Sequence, residues 1–454
     1  MSTTVHPAPP EVTPRRLLPS GWPLTALYAA FPLWWLMGIS HFVFIVFAVP
    51  MALELVRRRP LHVPHGFGFW LLFLTWVTAG ITVLWADAPG AVAGGSLGRL
   101  VPFTYRGLWL VAITVVCLYV MNLSEKELPT LRVIRLVAVM FVLTLLGGLA
   151  GLALPRADFP SLLEMFRSVG DSGFVYSLVH PRLSDASEFL GYVQPRPVAP
   201  FAYANAWGNN LAMFLPFFCL AWLGKDAGWR HKVAPLLLVL ACVPIAYSLN
   251  RGLWGGLFVA ALLVVVKLAT MGRIWTVGLF AAVVVVGGSV FVATPLYDTV
   301  TLRIDTPHSN DRRGTVAETI IGSTMQGSPV LGFGSNREVQ GSYSSIAGAG
   351  TPDCRQCAAP PMGTQGFLWR LIFTTGFVGT ALYLGFMLTQ LRRHLRSEDP
   401  IAIAGCVSIV MSLVFFFVYD SLESPLYTLL LAIGLMNRRL IGGTDRADMK
   451  EGAA

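Results

Sequence analysis

The chain has 454 residues, 55% of them hydrophobic and 13% charged, and its 33 Lys and Arg outnumber its 24 Asp and Glu for a formal charge of +9. About a quarter of the residues of a soluble domain are charged, so this composition, with a mean hydropathy of +0.64, excludes a string of soluble domains and predicts an integral membrane protein. The basic residues are scattered in short clusters between apolar runs, which excludes the basic stripe of a nucleic-acid-binding domain.

In chain order, residues 1–21 read as a polar N-terminal tail. The Arg15-Arg16 pair before an apolar run imitates a targeting peptide, but Pro32, Trp34 and Trp35 interrupt that run and another span follows at once. A retained first helix is therefore expected. Runs of helix-spanning length predict twelve crossings: 22–38, 41–56, 67–86, 104–121, 132–153, 204–223, 233–248, 252–269, 275–293, 366–389, 400–418 and 424–437. The predicted fold is all-α and polytopic, one transmembrane domain over 22–437 with a tail over 438–454.

Charge assigns the sides. Arg15-Arg16, Arg57 to Arg59, Lys126 to Arg135, Lys225 to Lys232, Lys267 to Arg273, Arg392 to Arg396 and Arg438 to Lys450 hold 20 of the 33 basic residues. In a twelve-span chain all of them fall on one side, which the positive-inside rule makes cytoplasmic, with both termini. The cell membrane is the expected location, and membrane lipids are the surrounding partners.

The long connections, about 154–203 and about 294–365, are then outside. Each carries an apolar-polar segment, 159–167 and 316–325, expected as a short surface helix. Cys117, Cys219, Cys242 and Cys406 fall in apolar runs as packing residues, whereas Cys354 and Cys357 form a Cys-x-x-Cys in the second outer loop, for which a disulfide is expected. No further His or Cys pair accompanies them, so no metal site is predicted.

Two polar motifs stand where spans meet the outer face. The first runs from Gln194 through Arg196 to Tyr203, Asn205 and Gly208; the second is Ser248-Leu249-Asn250-Arg251-Gly252. A guanidinium offers phosphate a planar fork of donors and keeps its charge, and an arginine at a span mouth is costly without an anionic partner or a function. Lipid-headgroup contact is the bland alternative for either arginine. Arg106 opens another span at this face, as a third phosphate contact or a second headgroup contact. The second outer loop adds Ser309 to Arg313, including Arg312 and Arg313, and then Gly332-Phe333-Gly334 in a lip or a plain turn. Gly363-Thr364-Gln365-Gly366 leads into a span holding Gly376 and Gly379. Asp420 and Glu423 read as a solvated last outer turn, and His180 and His308 as surface histidines.

This order of motifs resembles the bacterial O-antigen ligase and polymerase superfamily of polytopic glycan-transferring membrane proteins, over roughly residues 190–390. The resemblance implies inverting, metal- and cofactor-free transfer of a glycan from a polyprenyl-diphosphate carrier to a lipid, glycan or polymer-end acceptor. By it, Arg196 and Arg251 grip the diphosphate, with Tyr203, Asn205, Asn250, Arg312, Arg313, Gly332, Gly334 and Arg106 around the substrates. Many relatives have a His before the span that follows the glycine loop; here the matching positions are Thr364 and Gln365. Gln365 is then expected to orient the acceptor hydroxyl without taking its proton, which falls to Asp311, Glu318 or water. A transporter or flippase for an anionic or lipid-linked solute is the alternative function. It calls for charge or broken helices at mid-membrane, whereas the polar motifs here sit on the rim.

Overall fold

The computed structural model describes residues 18–95, 97–166, 174–187, 194–224, 227–292, 297, 301, 308–340 and 360–451. Sixteen helices are labelled here: α1 (Trp22–Ala29), α2 (Phe31–Leu36), α3 (Val43–Val56), α4 (Phe67–Ala79), α5 (Leu100–Asn122), α6 (Thr130–Ala153), α7 (Leu162–Phe166), α8 (Phe174–Val179), α9 (Ala204–Trp222), α10 (Trp229–Tyr247), α11 (Arg251–Thr270), α12 (Trp275–Val292), α13 (His308–Gly327), α14 (Phe367–His394), α15 (Pro400–Phe415) and α16 (Ser424–Glu451). Between α8 and α9 lies an antiparallel ribbon, β1 (Ser184–Ser187) with β2 (Gln194–Pro197), so the mostly helical chain is not purely so.

Five segments are long and apolar enough to cross a membrane: Leu97–Asn122, Thr130–Ala153, Trp229–Tyr247, Arg251–Thr270 and Phe367–His394. Four shorter apolar helices accompany them, Val43–Val56, Phe67–Val83, Trp275–Ser289 and Pro400–Phe415. The segment expected as one helix over 22–38 is two. Pro32 has no N–H to bond the preceding turn, so α1 stops at Ala29 and α2 restarts with the proline in its first turn, where it is tolerated. At the other end of the chain, α16 continues as helix through most of the segment expected as a tail, to Glu451.

The helices share one apolar core in which α6 lies along α9, α5 along α16, α4 along α14 and α11 along α15. Trp70, Trp109, Trp207 and Tyr383 are fully buried in it. Apolar burial drives little helix association inside a membrane, so close backbone approach matters more. On α6, a Cβ at Gly147 would lie 2.3 Å from the Ala199 carbonyl oxygen and one at Gly151 2.2 Å from that of Leu183. This face of α6 is therefore where the ribbon and the segment after it dock, and it fixes the depth of Arg196.

One interruption shapes the opposite side. At Gly376 the backbone of α14 turns to φ 66°, ψ −174°, a region open in practice only to glycine. The carbonyls freed at Phe373 and Thr374 accept the N–H groups of Phe333 (2.8 Å) and Gly334 (3.0 Å), and Phe377 N–H donates to Pro329 O at 2.9 Å. Trp76 Nε1 donates to Thr375 O and Val330 O, both at 3.0 Å. The 329–334 loop thus fills the break, satisfying backbone groups that nothing in hydrocarbon would satisfy.

The two ends of the bundle differ. At one, the basic segments meet: Arg58 pairs with Glu54 (3.1 Å) and Glu127 (2.5 Å), Arg438 donates to Leu128 O (2.8 Å), and Lys267 to Leu395 O (3.1 Å). The Arg58 guanidinium holds the Glu127 carboxyl down to about 2. At the other end stand the ribbon, the 329–340 segment and the polar motifs. The segments expected as surface helices are helical at their centres, as α7 and as part of α13. Substituting Gly376→Ala should lower the thermal stability of the purified protein by about 1–3 kcal/mol, because the new Cβ would lie 2.3 Å from Val330 O. Gly278→Ala, on α12 with open space around it, should leave the melting temperature unchanged or raise it.

Candidate functional site

Arg196 stands on β2, opposite Asp185 of β1 in the ribbon register. It is only 8% exposed. Its Nε donates to Ser248 O at 2.7 Å and its Nη2 to Asn205 Oδ1 at 3.2 Å. The first bond joins the two motifs recognised separately in the sequence, because Ser248 begins the Ser248-to-Gly252 segment; the second ties Arg196 to Asn205 in the first turn of α9. Leu249 takes φ 53°, Asn250 precedes α11, and the partly buried Arg251 is that helix's first residue. Tyr203, just before α9, donates to or accepts from Ser177 Oγ at 2.5 Å. Burial raises its phenol above the ordinary tyrosine range.

Asn250 is buried, and its Oδ1 accepts the Tyr419 hydroxyl. Asn209 Nδ2 donates to Ser421 Oγ at 2.9 Å. Asn250 Nδ2, Asn209 Oδ1 and Asn210 Oδ1 are buried amide atoms with no hydrogen-bond partner among the described residues. Such atoms call for a water or a ligand hydroxyl.

Arg106 of α5 donates to Gly334 O (3.2 Å) and Asn336 Oδ1 (3.1 Å). Arg370 of α14 pairs with Asp420 and donates weakly to Gly363 O at 3.4 Å. Gly332 and Gly334 both have positive φ, and their backbones pack against Phe373 O and Gly80 O. Their glycine identity is accounted for by this contact with α14 and the end of α4. Deeper in the segment, Arg337 donates to Ser335, Phe333 and Leu84 carbonyls. Burial, and then the neighbouring Arg99, lower its guanidinium to about 10, so it stays charged at neutral pH.

The two halves meet at residues 416–424, between α15 and α16. Tyr419 reaches Asn250, Ser421 reaches Asn209, Asp420 pairs with Arg370, and Glu423 accepts the Tyr105 hydroxyl at 3.0 Å. His41 Nε2 lies 3.7 Å from Glu423. This turn also caps α14: Phe367 N–H donates to Tyr419 O (2.7 Å) and Leu368 N–H to Phe416 O (2.9 Å). The N-terminus of that helix is thereby spent on protein carbonyls instead of an anion. The expected solvated turn is therefore a junction. Its sequence signal was present: Tyr419 to Ser424 carries two carboxylates and two serines between the apolar runs 400–418 and 425–436.

Thr364 spends its hydroxyl on Pro361 O at 2.6 Å, and Gln365 is exposed with φ 67°. Glu318 is exposed on α13. The side chains of Asp311, Arg312, Arg313 and His308, and the Cys354 and Cys357 pair, lie outside the described residues. His180, expected at the surface, is instead enclosed: Nδ1 lies 2.9 Å from Glu164, Nε2 contacts Asp158, and the ring stacks on Tyr176 at 4.4 Å. It needs partners because the α7 and α8 segments fold over it. Among the described residues no group of three or more His, Cys, Asp and Glu forms a metal-binding cluster.

No protein-family model matches the chain, and no curated protein matches it either.

Arg370 is mostly enclosed whereas Asp420 is exposed, and stripping an enclosed charge of its partner costs more than replacing both. Asp420→Ala should therefore lower thermal stability more than the double variant Asp420→Ala/Arg370→Met. A double variant less stable than the single would show that Arg370 is held by other contacts.

Proposed function

We propose that this protein transfers a glycan from a polyprenyl-diphosphate carrier to an acceptor at the outer face of the cell membrane, in cell-surface polysaccharide biosynthesis, as the resemblance to O-antigen ligases and polymerases implies. One observation carries the reading most directly: the Arg196 segment and the Ser248-to-Gly252 segment, far apart in sequence, are hydrogen-bonded to each other at one end of the bundle. A second supports it. Among the described residues, Arg58, Arg438 and Lys267, from three of the segments expected in the cytoplasm, make their contacts at the opposite end.

On this reading Arg196 and Arg251 hold the carrier's diphosphate. Arg196 is itself fixed by Ser248 O and Asn205, so its charge is set in place before the substrate arrives. Preorganised charge aimed at a leaving group is usually the largest single contribution to such catalysis. As the bond to the sugar breaks, the negative charge that builds on the diphosphate is met by these two guanidiniums. The acceptor hydroxyl then attacks the anomeric carbon from the opposite face, which inverts its configuration. Tyr203 and the buried amides of Asn209 and Asn250 offer hydrogen bonds to the sugar or its acceptor, and Gln365 orients the incoming hydroxyl. Arg106, held by Gly334 O and Asn336, contributes field from the second half of the site. Membrane lipid brings the polyprenyl chain in from the side.

Lysine keeps the charge of arginine but loses its fork. In membranes carrying equal amounts of protein, Arg196→Lys and Arg251→Lys should each lower glycan product strongly, and the alanine variants by about 100-fold or more. Full product formation by either alanine variant would remove that arginine from the site.

A further inference from the structure

Resting on the transferase reading, we infer that Glu423 is the group that takes the acceptor's proton, positioned by Tyr105 and His41. The matching histidine of the resembled family is absent here, and among the described residues the other candidates are committed elsewhere or stand on the outer helix α13. Asp420 is tied to Arg370, His180 is enclosed by two carboxylates, and Glu318 is exposed on α13. Gln365 has no basic atom near neutral pH.

Glu423 has the geometry of a held but reachable base. Tyr105 donates to its Oε1 at 3.0 Å, and its Oε2 lies 3.7 Å from His41 Nε2. Its side chain is 29% exposed whereas that of His41 is 10% exposed, so a hydroxyl can reach the carboxylate and not the ring. His41 is steadied by Ser40 Oγ, 3.4 Å from Nδ1. A small cavity lined by Ser40, His41, Phe201, Glu423 and Ser424 opens here. Phe201 belongs to the link between β2 and α9, so the cavity adjoins the segment that carries Arg196. Tyr203, at the head of α9, and Arg370, on α14, both feel the charge of Glu423. The titratable and charged groups facing Glu423 are thus His41, Tyr105, Tyr203 and Arg370.

The acceptor oxygen forms its bond to the anomeric carbon while the bond from that carbon to the diphosphate oxygen breaks, its electron pair leaving with the diphosphate. The acceptor's proton passes to a Glu423 carboxylate oxygen. The leaving charge rests on Arg196 and Arg251.

The test uses the purified full chain with a polyprenyl-diphosphate-linked glycan and an acceptor that the wild type glycosylates, measuring single-turnover transfer and, separately, binding of labelled donor. Glu423→Gln keeps an oxygen for Tyr105 and should fold. Its transfer rate should fall by about 100-fold or more with donor binding within twofold of wild type. Glu423→Asp, which keeps the charge, should retain more rate than Glu423→Gln. Added formate should restore part of the rate of Glu423→Ala and none of that of Arg251→Ala. Transfer at the wild-type rate by Glu423→Gln, equal rates for the Asp and Gln variants, or no rescue by formate would each overturn the assignment while leaving the transferase reading intact. A wild type that binds donor and transfers to no acceptor would defeat that reading itself, and this assignment with it.

Discussion

A guanidinium keeps its charge at any physiological pH, so a chain that buries arginines in an apolar bundle must surround each with oxygen. That requirement organises one end of this molecule. Arg196, Arg106 and Arg337, each under a tenth exposed, are met by carbonyl and amide oxygens, and Arg370 by Asp420. The oxygens come from loops that would otherwise have no reason to hold still: Ser248, Gly334, Phe333 and the 416–424 turn. Fixing the arginines therefore fixes the loops, and the loops in turn define the site.

The backbone follows the same economy of hydrogen bonds. Where α14 breaks at Gly376, a loop fills the gap; where α14 begins, the end of α15 supplies carbonyls. Neither helix end is left for solvent or ligand. The glycines of the 332–334 segment and the small residues of α6 serve this close packing.

Much of this was legible in the sequence, and the rest was hidden for physical reasons. Apolar runs give the helices because hydropathy over a run of membrane-spanning length is a strong signal. The proximity of Arg196 to Ser248 was foreshadowed by both motifs falling at span ends on one face. The split between α1 and α2 was marked by Pro32 but outweighed by continuous hydrophobicity. The ribbon was missed because four-residue strands rich in proline and serine leave no alternation to read. The role of the 416–424 turn depends on long-range contacts with Tyr105, Asn209, Asn250 and Arg370, and no local pattern encodes those. His180 likewise gives no sign in sequence that Asp158 and Glu164 close around it.

Arg196, Arg106 and Arg337 stand at one end of the bundle and Arg58 and Arg438 at the other, whereas passage of an anionic solute calls for charge along a path through the bundle. Chemistry at the surface and movement across the membrane are separated by one reconstitution. Purified protein in lipid vesicles, given a labelled polyprenyl-diphosphate glycan and a glycan acceptor in the presence of a metal chelator, should form the transferred product and release polyprenyl diphosphate. Movement of the labelled donor from one leaflet to the other at an appreciable rate, with no product formed, would contradict the account.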